Sequence, residues 1–237
     1  MVNRVINLEK ASFLNKGKYD DPFPECIDKE TEYHLPKMVH FVWIISAISK
    51  QYLDLVNLFS QVNPAYEIYL WLDNNSDIEK IKQDNTNLVV KNVEEVQDQT
   101  FKSLQHRPFM IDYIRYLIVY KIGGIYSDID TRAQKPLDDL FDEAFVSHIE
   151  EPYYNLTNGL FGFARGSNFL KYVLDCFIYF RKLGYPEYFV WSGPGFFTNC
   201  FMNYKDNNIR MIHQHITMHG VDAYTQHLSH ANWLKDP

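Results

Sequence analysis

The sequence predicts an α/β fold in which a mostly parallel sheet is flanked by helices. Short apolar runs rich in β-branched and aromatic residues alternate with amphipathic segments, and turn residues such as Gly, Pro and Asn separate them. This alternation is typical of parallel sheets, because each crossover helix returns the chain to the edge where the next strand starts. The 237 residues suit one domain at 36–237, preceded by an N-terminal extension at 1–35.

The remaining elements follow in order along the chain. Apolar β-branched runs predict buried strands, and periodic apolar residues predict helices. The predicted strands cover residues 38–45, 66–72, 88–93, 145–149 and 160–164, and the predicted helices cover 49–61, 78–82, 94–106 and 168–182. A Ser-Gly-Pro-Gly turn at 192–195 opens a last apolar segment at 196–204.

The clearest helix is predicted for residues 107–122. Pro108 fits the first helical turn, where a backbone N–H has no partner in any case, and apolar residues recur along the segment. Gly123 then predicts a left-handed stop. A strand over 125–129 follows, so that the order helix, Gly-Gly turn and strand ends in an acidic tip.

The charge balance and the cysteines narrow the choice of partner and compartment. A formal net charge of −7 and a pI of about 5.7 argue against nucleic acid and against a polybasic membrane surface. Cys26, Cys176 and Cys200 show no CxxC spacing, which predicts neither a disulfide framework nor a zinc site, and the last two are expected to be buried thiols. There is no apolar signal region and no transmembrane-length apolar run, so we expect a cytoplasmic chain, compatible with one domain of a longer multidomain protein.

Asp128 and Asp130 form an Asp-x-Asp pair at the carboxyl end of the predicted strand. In open α/β sheets, ligands bind outside the carboxyl ends of the strands. Strand alternation would point both side chains to one side, where two carboxylates repel each other unless a cation neutralises them. Mg²⁺ or Mn²⁺ suits such ligands and leaves positions for phosphate oxygens. Taken alone, however, an Asp-x-Asp pair is more often a solvated turn.

The residues around this pair strengthen the metal interpretation. Gly123-Gly124 permits a tight turn, and Tyr126 precedes the first acid by two positions. Asp112 and Arg115 are spaced i, i+3 and share one face of the preceding helix, where they could form a surface ion pair of little energetic value. In the functional interpretation, Asp112 accepts from a ribose or base, and Arg115 pairs with a phosphate or with Asp112.

The order D-x-x-R and G-G-x-Y-x-D-x-D, from Asp112 to Asp130, resembles the DXD sugar-binding region of glycosyltransferase family 32, which includes mannosyltransferase and capsular-polysaccharide branches. It also resembles the glucosylating domain of the large clostridial toxins. The resemblance implies a GT-A fold with a smaller acceptor-side region. It further implies transfer of a hexosyl or pentosyl group from a nucleoside diphosphate sugar to a hydroxyl of a glycan or other acceptor, with Mn²⁺ or Mg²⁺ as cofactor.

Weaker matches extend the resemblance over most of the chain. Residues 36–43 (PKMVHFVW) resemble the family's opening strand, in which the residue matching Trp43 stacks on the nucleobase; a core Trp is the competing interpretation. Asn158 resembles the Asn of a segment that follows the DXD motif. The segments at 69–73 and 192–194 resemble a structural strand and a Ser-Gly-Pro turn of the family.

The end of the chain resembles the family's closing H…GSW motif. His227 matches by its distance to Trp233, whereas His230 lies nearer to that residue, and Asn232 replaces the family's Ser. A neutral His suits the third position of a metal site, although each His by itself is more often a surface residue. Trp233 would cover the pyrophosphate.

The resemblance implies these roles. Asp128, Asp130 and Arg115 are the expected catalytic residues, with Asp130 binding the metal directly and Asp128 bridging to the nucleotide; His227 or His230 would complete the metal site. The expected nucleotide-binding residues are Trp43, Asp112, Arg115, Tyr126, Asp128, Asn158 and Trp233. UDP is the preferred nucleotide because the contexts of Trp43 and Tyr126 resemble the toxin branch, and GDP is second.

Two other functions would use the same residues. A metal-dependent nucleotide-sugar hydrolase or nucleotidyltransferase needs the same paired acids, and a non-catalytic binding module could keep the fold. Retention of both acids argues against the binding module. The stereochemistry stays open, because no nucleophile is assignable and the candidate bases Asp206 and Glu150 cannot be ranked.

Overall fold

The computed structural model describes residues 23–24, 34–44, 46–137, 141–148, 155–183, 192–204, 206 and 208–229. Its centre is a seven-stranded sheet, whose strands lie side by side in the order β3 (Val89–Asn92), β2 (Glu67–Leu72), β1 (Met38–Trp43), β4 (Gly124–Ser127), β7 (Leu156–Phe163), β6 (Phe145–His148) and β8 (Arg210–His213). Within this sheet, β7 runs against its neighbours β4 and β6, and the other strands share one direction. Two short strands, β5 (Thr131–Ala133) and β9 (Thr225–His227), form a separate antiparallel pair.

Helices accompany this sheet along the chain. They are α1 (Lys50–Val62), α2 (Ile78–Asp84), α3 (Gln99–Lys102), α4 (Arg107–Ile122), α5 (Asn168–Lys182), α6 (Pro194–Tyr204) and α7 (Gln214–Thr217). Successive strand residues enter opposite core clusters: Leu70 packs with Phe41 and Phe59, whereas Trp71 belongs to the cluster that contains α4, α5 and α6. Both faces of the central strands are therefore covered, as expected for a parallel sheet. Helix α4 is buried on nearly all sides.

The predicted α/β class with its mostly parallel sheet is confirmed, and most of the predicted strands and helices are found within a few residues of their predicted bounds. Residues 94–106 do not form one helix. Asn92 caps a 3₁₀ turn at Val93–Glu95, and Asp98 then caps α3, so that each polar cap starts a new short element. The strand predicted for 160–164 begins earlier, at Leu156.

Other expectations from the sequence concern cysteines and membranes. Cys176 and Cys200 are buried free thiols, as predicted. Among the described residues, none of the helices combines the length and apolar character that crossing a bilayer requires. Cys26 and nearly all of the N-terminal extension lie outside the described residues.

The Gly123-Gly124 turn joins α4 to β4 where there is no room for side chains. Gly123 has a positive φ of 84° but a ψ of 177°, so the left-handed helical stop that the sequence suggested is wrong in its ψ. A Cβ atom on Gly124, whose φ is 102°, would lie 2.8 Å from the main-chain oxygen of Met38. Two glycines therefore let β4 start beside β1 directly after the helix.

His40 of β1 holds this turn in place. Trp71 Nε1 donates to His40 Nδ1 at 3.2 Å, so His40 Nε2 carries the proton and donates to the Gly123 carbonyl oxygen at 2.8 Å. Burial lowers the pKa of His40 to about 4, and the hydrogen bond to Gly123 offsets only part of this effect. The imidazole is therefore neutral in the folded protein at neutral pH.

We expect the free energy of unfolding to fall as the pH is lowered from about 6.5 towards 4. The unfolded chain binds a proton at His40 near pH 6.5, whereas the folded protein does so near pH 4, so protonation in this window favours unfolding. Chemical denaturation at a series of pH values should show a shallower pH dependence in His40→Gln, because glutamine can donate to Gly123 but does not titrate. Equal pH dependence in the two proteins would contradict this role of His40.

Candidate active site

Asp128 and Asp130 lie in a turn that follows the carboxyl end of β4. Asp128 N donates to the Gly159 carbonyl oxygen of β7 at 2.8 Å, and Thr131 N donates to the Asp128 carbonyl oxygen at 3.1 Å. The prediction that strand alternation aligns the two acids is wrong, because β4 ends at Ser127. The turn, and not the strand, brings both carboxylates to one place.

His227 joins the two acids from a distant part of the chain. β9 pairs with β5 so that His227 lies opposite Thr131. His227 Nε2 lies 3.1 Å from Asp130 Oδ1 and 3.7 Å from Asp128 Oδ2. One potential ligand atom from each of these three residues lies within 4.8 Å of the others. The structure thus gathers three of the four residues predicted for the metal site, while His230 lies outside the described residues.

This donor set fits a divalent cation. Around an octahedral ion with bonds of about 2.1 Å, neighbouring ligand atoms are about 3 Å apart, which is close to the 3.1 Å between His227 Nε2 and Asp130 Oδ1. Carboxylates suit Mg²⁺ and Mn²⁺, and an imidazole shifts the preference towards transition metals, so that the mixed set favours Mn²⁺. The 3.7 Å distance to Asp128 Oδ2 makes Asp128 the more remote ligand.

The electrostatics of these residues favour a positive charge between them. Burial lowers the pKa of His227, but the hydrogen bond to Asp130 and the charges of Asp128 and Asp130 outweigh burial and raise the pKa above its ordinary value. A proton on His227 therefore compensates the acids. A bound metal ion would replace that proton, since imidazole binds metals in its neutral form.

Arg115 is buried directly behind Asp128, with 8% of its side chain exposed. Its Nη1 donates to Asp128 Oδ1 and to the Asn158 carbonyl oxygen, both at 2.9 Å, and its guanidinium lies 4.7 Å from the centre of the Tyr126 ring. Burial alone would lower the pKa of Arg115, but its surroundings of Tyr126, Asp128 and Asp112 raise the pKa, so the guanidinium stays charged.

Asp112 is a second anion beside this guanidinium, and both of its oxygens are bound within the protein. Asp112 Oδ1 lies 3.3 Å from Arg115 Nη2 and accepts a hydrogen bond from Asn158 Nδ2 at 2.8 Å, while Oδ2 accepts from Ser192 Oγ at 2.8 Å. Burial raises the pKa of Asp112, against the effect of the Arg115 charge and of these two hydrogen bonds. The i, i+3 pair is therefore buried, and the alternative of a surface ion pair does not hold.

Two tyrosines complete the support beneath the acids. Tyr126 is fully buried and donates its hydroxyl to Asp128 Oδ1 at 3.0 Å; burial raises the pKa of Tyr126 well above its ordinary value, so it remains a donor. Tyr116 donates to the Ser192 carbonyl oxygen at 2.8 Å. The sequence reasoning missed Tyr116 and the side chain of Ser192. The i, i+4 spacing of Asp112 and Tyr116 on one helix face was a usable signal for the first.

Trp43 lies at the carboxyl end of β1, at the same edge of the parallel sheet as the acids. It is half-buried, donates Nε1 to the Ser46 carbonyl oxygen at 3.0 Å and packs 4.7 Å from the Tyr52 ring, measured between ring centres. The next residue, Ile44, lines a cavity of about 230 Å³ together with Asn74 and other residues that follow β2 and β3.

The remaining predicted residues are not brought to this cluster by any contact within the described ranges. Trp233 and Glu150 lie outside the described residues. Asp206 is buried, and its Oδ1 accepts a hydrogen bond from Asn208 N at 2.9 Å.

The architecture matches solved glycosyltransferase structures. The protein titled PaToxG Glycosyltransferase superposes with a TM-score of 0.55 and 19% identity, covering 82% of this chain and 74% of that chain. The catalytic domain of alpha-toxin from Clostridium novyi superposes with a TM-score of 0.50 and 12% identity, covering 77% and 75%. At these identities the likeness establishes the fold, which is the GT-A fold of glycosyltransferases.

Sequence comparison then identifies the family. Residues 49–147 match the family described as glycosyltransferase sugar-binding region containing DXD motif. Inositol phosphoceramide mannosyltransferase 3 of Schizosaccharomyces pombe is 28% identical over 66% of this chain and 41% of its own length. Inositol phosphoceramide mannosyltransferase 1 of the same yeast is 23% identical over 93% of this chain and 72% of its own length. The chain belongs to the DXD-containing glycosyltransferases, and it spans less than half of the first of these relatives.

Arg115→Met should lower the free energy of unfolding by roughly 3–5 kcal/mol, because it leaves the buried carboxylates of Asp112 and Asp128 without their shared counter-charge. Lys171→Met is the matched control, since Lys171 and Asp175 form an exposed i, i+4 pair at 2.7 Å that contributes less than about 1 kcal/mol. Urea denaturation followed by circular dichroism measures both changes. A loss for Arg115→Met no larger than that of the control would contradict the structural importance of the guanidinium.

Proposed function

We propose that this chain is a metal-dependent glycosyltransferase that moves a sugar from a nucleoside diphosphate sugar to a hydroxyl of a glycan or other acceptor. The observation that carries the proposal is the convergence of Asp128, Asp130 and His227 at the carboxyl edge of the sheet. The family relationship supports the reaction class, because the matched region is the one named for sugar binding and its DXD motif.

The reaction requires stabilisation of the charge that develops on the departing diphosphate. A divalent cation supplies this stabilisation as a Lewis acid when it is bound. Asp130 and His227 would hold the cation directly, at the spacing of neighbouring ligands. Asp128 Oδ1 is occupied by Arg115 and Tyr126, so Asp128 Oδ2 would act as the further ligand or as the acceptor for a ribose hydroxyl.

Arg115 would act from behind the acids. Its guanidinium is bound to Asp128 and Asp112, and 8% of its side chain is exposed. A positive charge in this position reduces the repulsion between the acids and fixes the orientation of Asp128. We therefore assign Arg115 and Asp112 a positioning role, in place of the direct contacts with phosphate and ribose that their residue types suggested.

The nucleoside would occupy the carboxyl ends of β1, β2 and β3. The cavity of about 230 Å³ there has apolar walls that include Ile44 and Phe101, and it has polar groups such as the amide of Asn74. This combination suits a planar base and a ribose. The half-buried ring of Trp43 adjoins Ile44 and would stack on the base, which places the pyrophosphate between the cavity and the acids.

Two nucleotides are candidates for the donor. The context of Trp43 favours UDP, and the printed names of the curated relatives, which are mannosyltransferases, favour a GDP-linked mannosyl donor. Tyr126 does not discriminate between them, because it is fully buried and its hydroxyl is bound to Asp128. A thermal-shift screen of UDP- and GDP-sugars with Mn²⁺ separates the candidates, since a ligand that binds only the native state raises the melting temperature.

Product analysis separates transfer from the alternative metal-dependent hydrolase or nucleotidyltransferase. A transferase releases the nucleoside diphosphate and lengthens an added glycan by one sugar. A hydrolase produces free sugar whether or not the glycan is present, and a nucleotidyltransferase produces a nucleoside monophosphate or its adduct. Free sugar alone across a panel of glycan acceptors would contradict the transferase proposal.

Asp130→Ala should abolish both the Mn²⁺-dependent rise in melting temperature and the transfer of sugar, because it removes the carboxylate closest to His227. Asp175→Ala is the matched control, since it removes an exposed carboxylate on α5. The thermal shift with Mn²⁺ and the rate of donor turnover measure the two effects. Unchanged turnover in Asp130→Ala would sink the metal assignment.

Trp43→Ala should weaken the binding of the donor nucleotide by roughly tenfold or more, because stacking on an aromatic ring contributes ~1–3 kcal/mol. Trp43→Phe, which keeps a ring at this position, should retain most of the affinity. Calorimetric titration with UDP and GDP in the presence of Mn²⁺ measures the dissociation constants. If Trp43→Ala binds as tightly as the unmodified protein and only its melting temperature falls, Trp43 is a core residue that packs on Tyr52.

A further inference from the structure

Gly159 lies directly across the sheet from Asp128. Tyr126 pairs with Phe161 and Ser127 pairs with Leu160 in the antiparallel register of β4 and β7. The hydrogen bond from Asp128 N to the Gly159 carbonyl oxygen continues this register by one residue beyond the end of β4. Gly159 is therefore the cross-strand neighbour of Asp128.

Cross-strand neighbours project their side chains to the same face of a sheet. Tyr126 and Phe161 follow this rule, with their rings stacked 5.5 Å apart. At the next pair on that face, the Asp128 carboxylate uses the space that a side chain at position 159 would occupy. A Cβ atom on Gly159 would lie 2.5 Å from Asp128 Oδ2 and 3.2 Å from its carboxyl carbon.

The conformation of the main chain does not require glycine at this position. Among the described glycines, a positive φ occurs at Gly123, Gly124 and Gly166, and Gly159 is not one of them. An alanine could therefore adopt the same backbone angles. What excludes an alanine is the Asp128 carboxylate, together with Thr157 Oγ1 at 3.2 Å from the added Cβ.

The other sides of the Asp128 carboxylate are already occupied. Oδ1 accepts from Arg115 Nη1 at 2.9 Å and from the Tyr126 hydroxyl at 3.0 Å, whereas Oδ2 faces Gly159 and His227 Nε2, the latter at 3.7 Å. The carboxylate can move away from an intruding Cβ only by weakening the bonds to Oδ1 or by turning Oδ2 towards His227. Either movement changes the relation of Asp128 to the cation position.

We propose that Gly159 is a positioning residue of the metal site, whose missing side chain leaves the space that sets the orientation of Asp128 Oδ2. This inference rests on the proposed function, because it takes Asp128 as a ligand or bridge at the cation. Its effect on the folded protein is independent of any metal, since the crowding between position 159 and the carboxylate is present in the metal-free chain.

The first test is the affinity for Mn²⁺ alone, measured by isothermal titration calorimetry on the full chain. Gly159→Ala should raise the Mn²⁺ dissociation constant roughly 10- to 100-fold, the range seen when residues that orient a metal ligand are replaced. Thr157→Ala is the matched control: it removes the hydroxyl that accepts from Gly159 N at 3.0 Å but adds no atom near Asp128. Its Mn²⁺ affinity should equal that of the unmodified chain.

The second test is a double-mutant cycle on the metal-free protein. Gly159→Ala should lower the melting temperature, and the same substitution in an Asp128→Ala background should lower it far less, because the carboxylate that it crowds is gone. If Gly159→Ala alone fails to fold while Gly159→Ala with Asp128→Ala folds, the result has the same meaning. Equal losses in both backgrounds, or unfolding of both, would overturn the proposal, since Gly159 would then serve the strand and not the carboxylate.

The two tests separate failure of this inference from failure of the proposed function. Absence of Mn²⁺ binding to the unmodified chain would contradict the proposed metal site, and the cycle on the metal-free protein would still test the contact with Asp128. If the unmodified chain binds Mn²⁺ and Gly159→Ala binds it equally well, the positioning role of Gly159 is wrong while the metal site stands. Weakened binding in Thr157→Ala as well would show a general disturbance of β7 and would also overturn the inference.

Discussion

One buried guanidinium organises the functional end of this fold. Arg115 projects from a helix that is buried on nearly all sides and binds Asp112 of the same helix, Asp128 after β4 and the main chain of Asn158 in β7. A charge in such a position is tolerated only when it is paired and hydrogen-bonded. The packing of the helix and of both strands is therefore tied to one local geometry, which is also the geometry that orients the first acid.

The reversal of β7 decides which groups surround the acids. A parallel strand beside β4 would bring its own carboxyl end to this edge, whereas the antiparallel β7 brings its beginning. Asn158 and Gly159, near the start of β7, can then offer main-chain carbonyl oxygens to Arg115 and to Asp128 N. The site thus combines the ligand-binding edge that a parallel sheet provides with two main-chain acceptors that only an antiparallel neighbour can supply at that place.

The sequence predicted those features that depend on local spacing. The strand and helix periods, the i, i+3 relation of Asp112 and Arg115, and the Asp-x-Asp pair are all readable within a few residues. The burial of Asp112 is different, because it depends on Asn158 and Ser192, which are remote in sequence. The separation of His227 from His230 has the same cause, since it depends on the register in which β9 pairs with β5. Strand alternation was the wrong reason for the convergence of the acids, because a strand end has no reliable signal of its own.

The pairing of β9 with β5 has a consequence for the chain as a whole. Asp130 and His227 come from segments that are far apart in sequence and meet through a short two-stranded pair. A cation shared by these side chains would act as a reversible cross-link that closes a long loop and restricts the freedom of the chain before it folds. Removing such a cross-link with a chelator would loosen the C-terminal segment first, so that occupancy by metal and attachment of the chain end would become a single equilibrium.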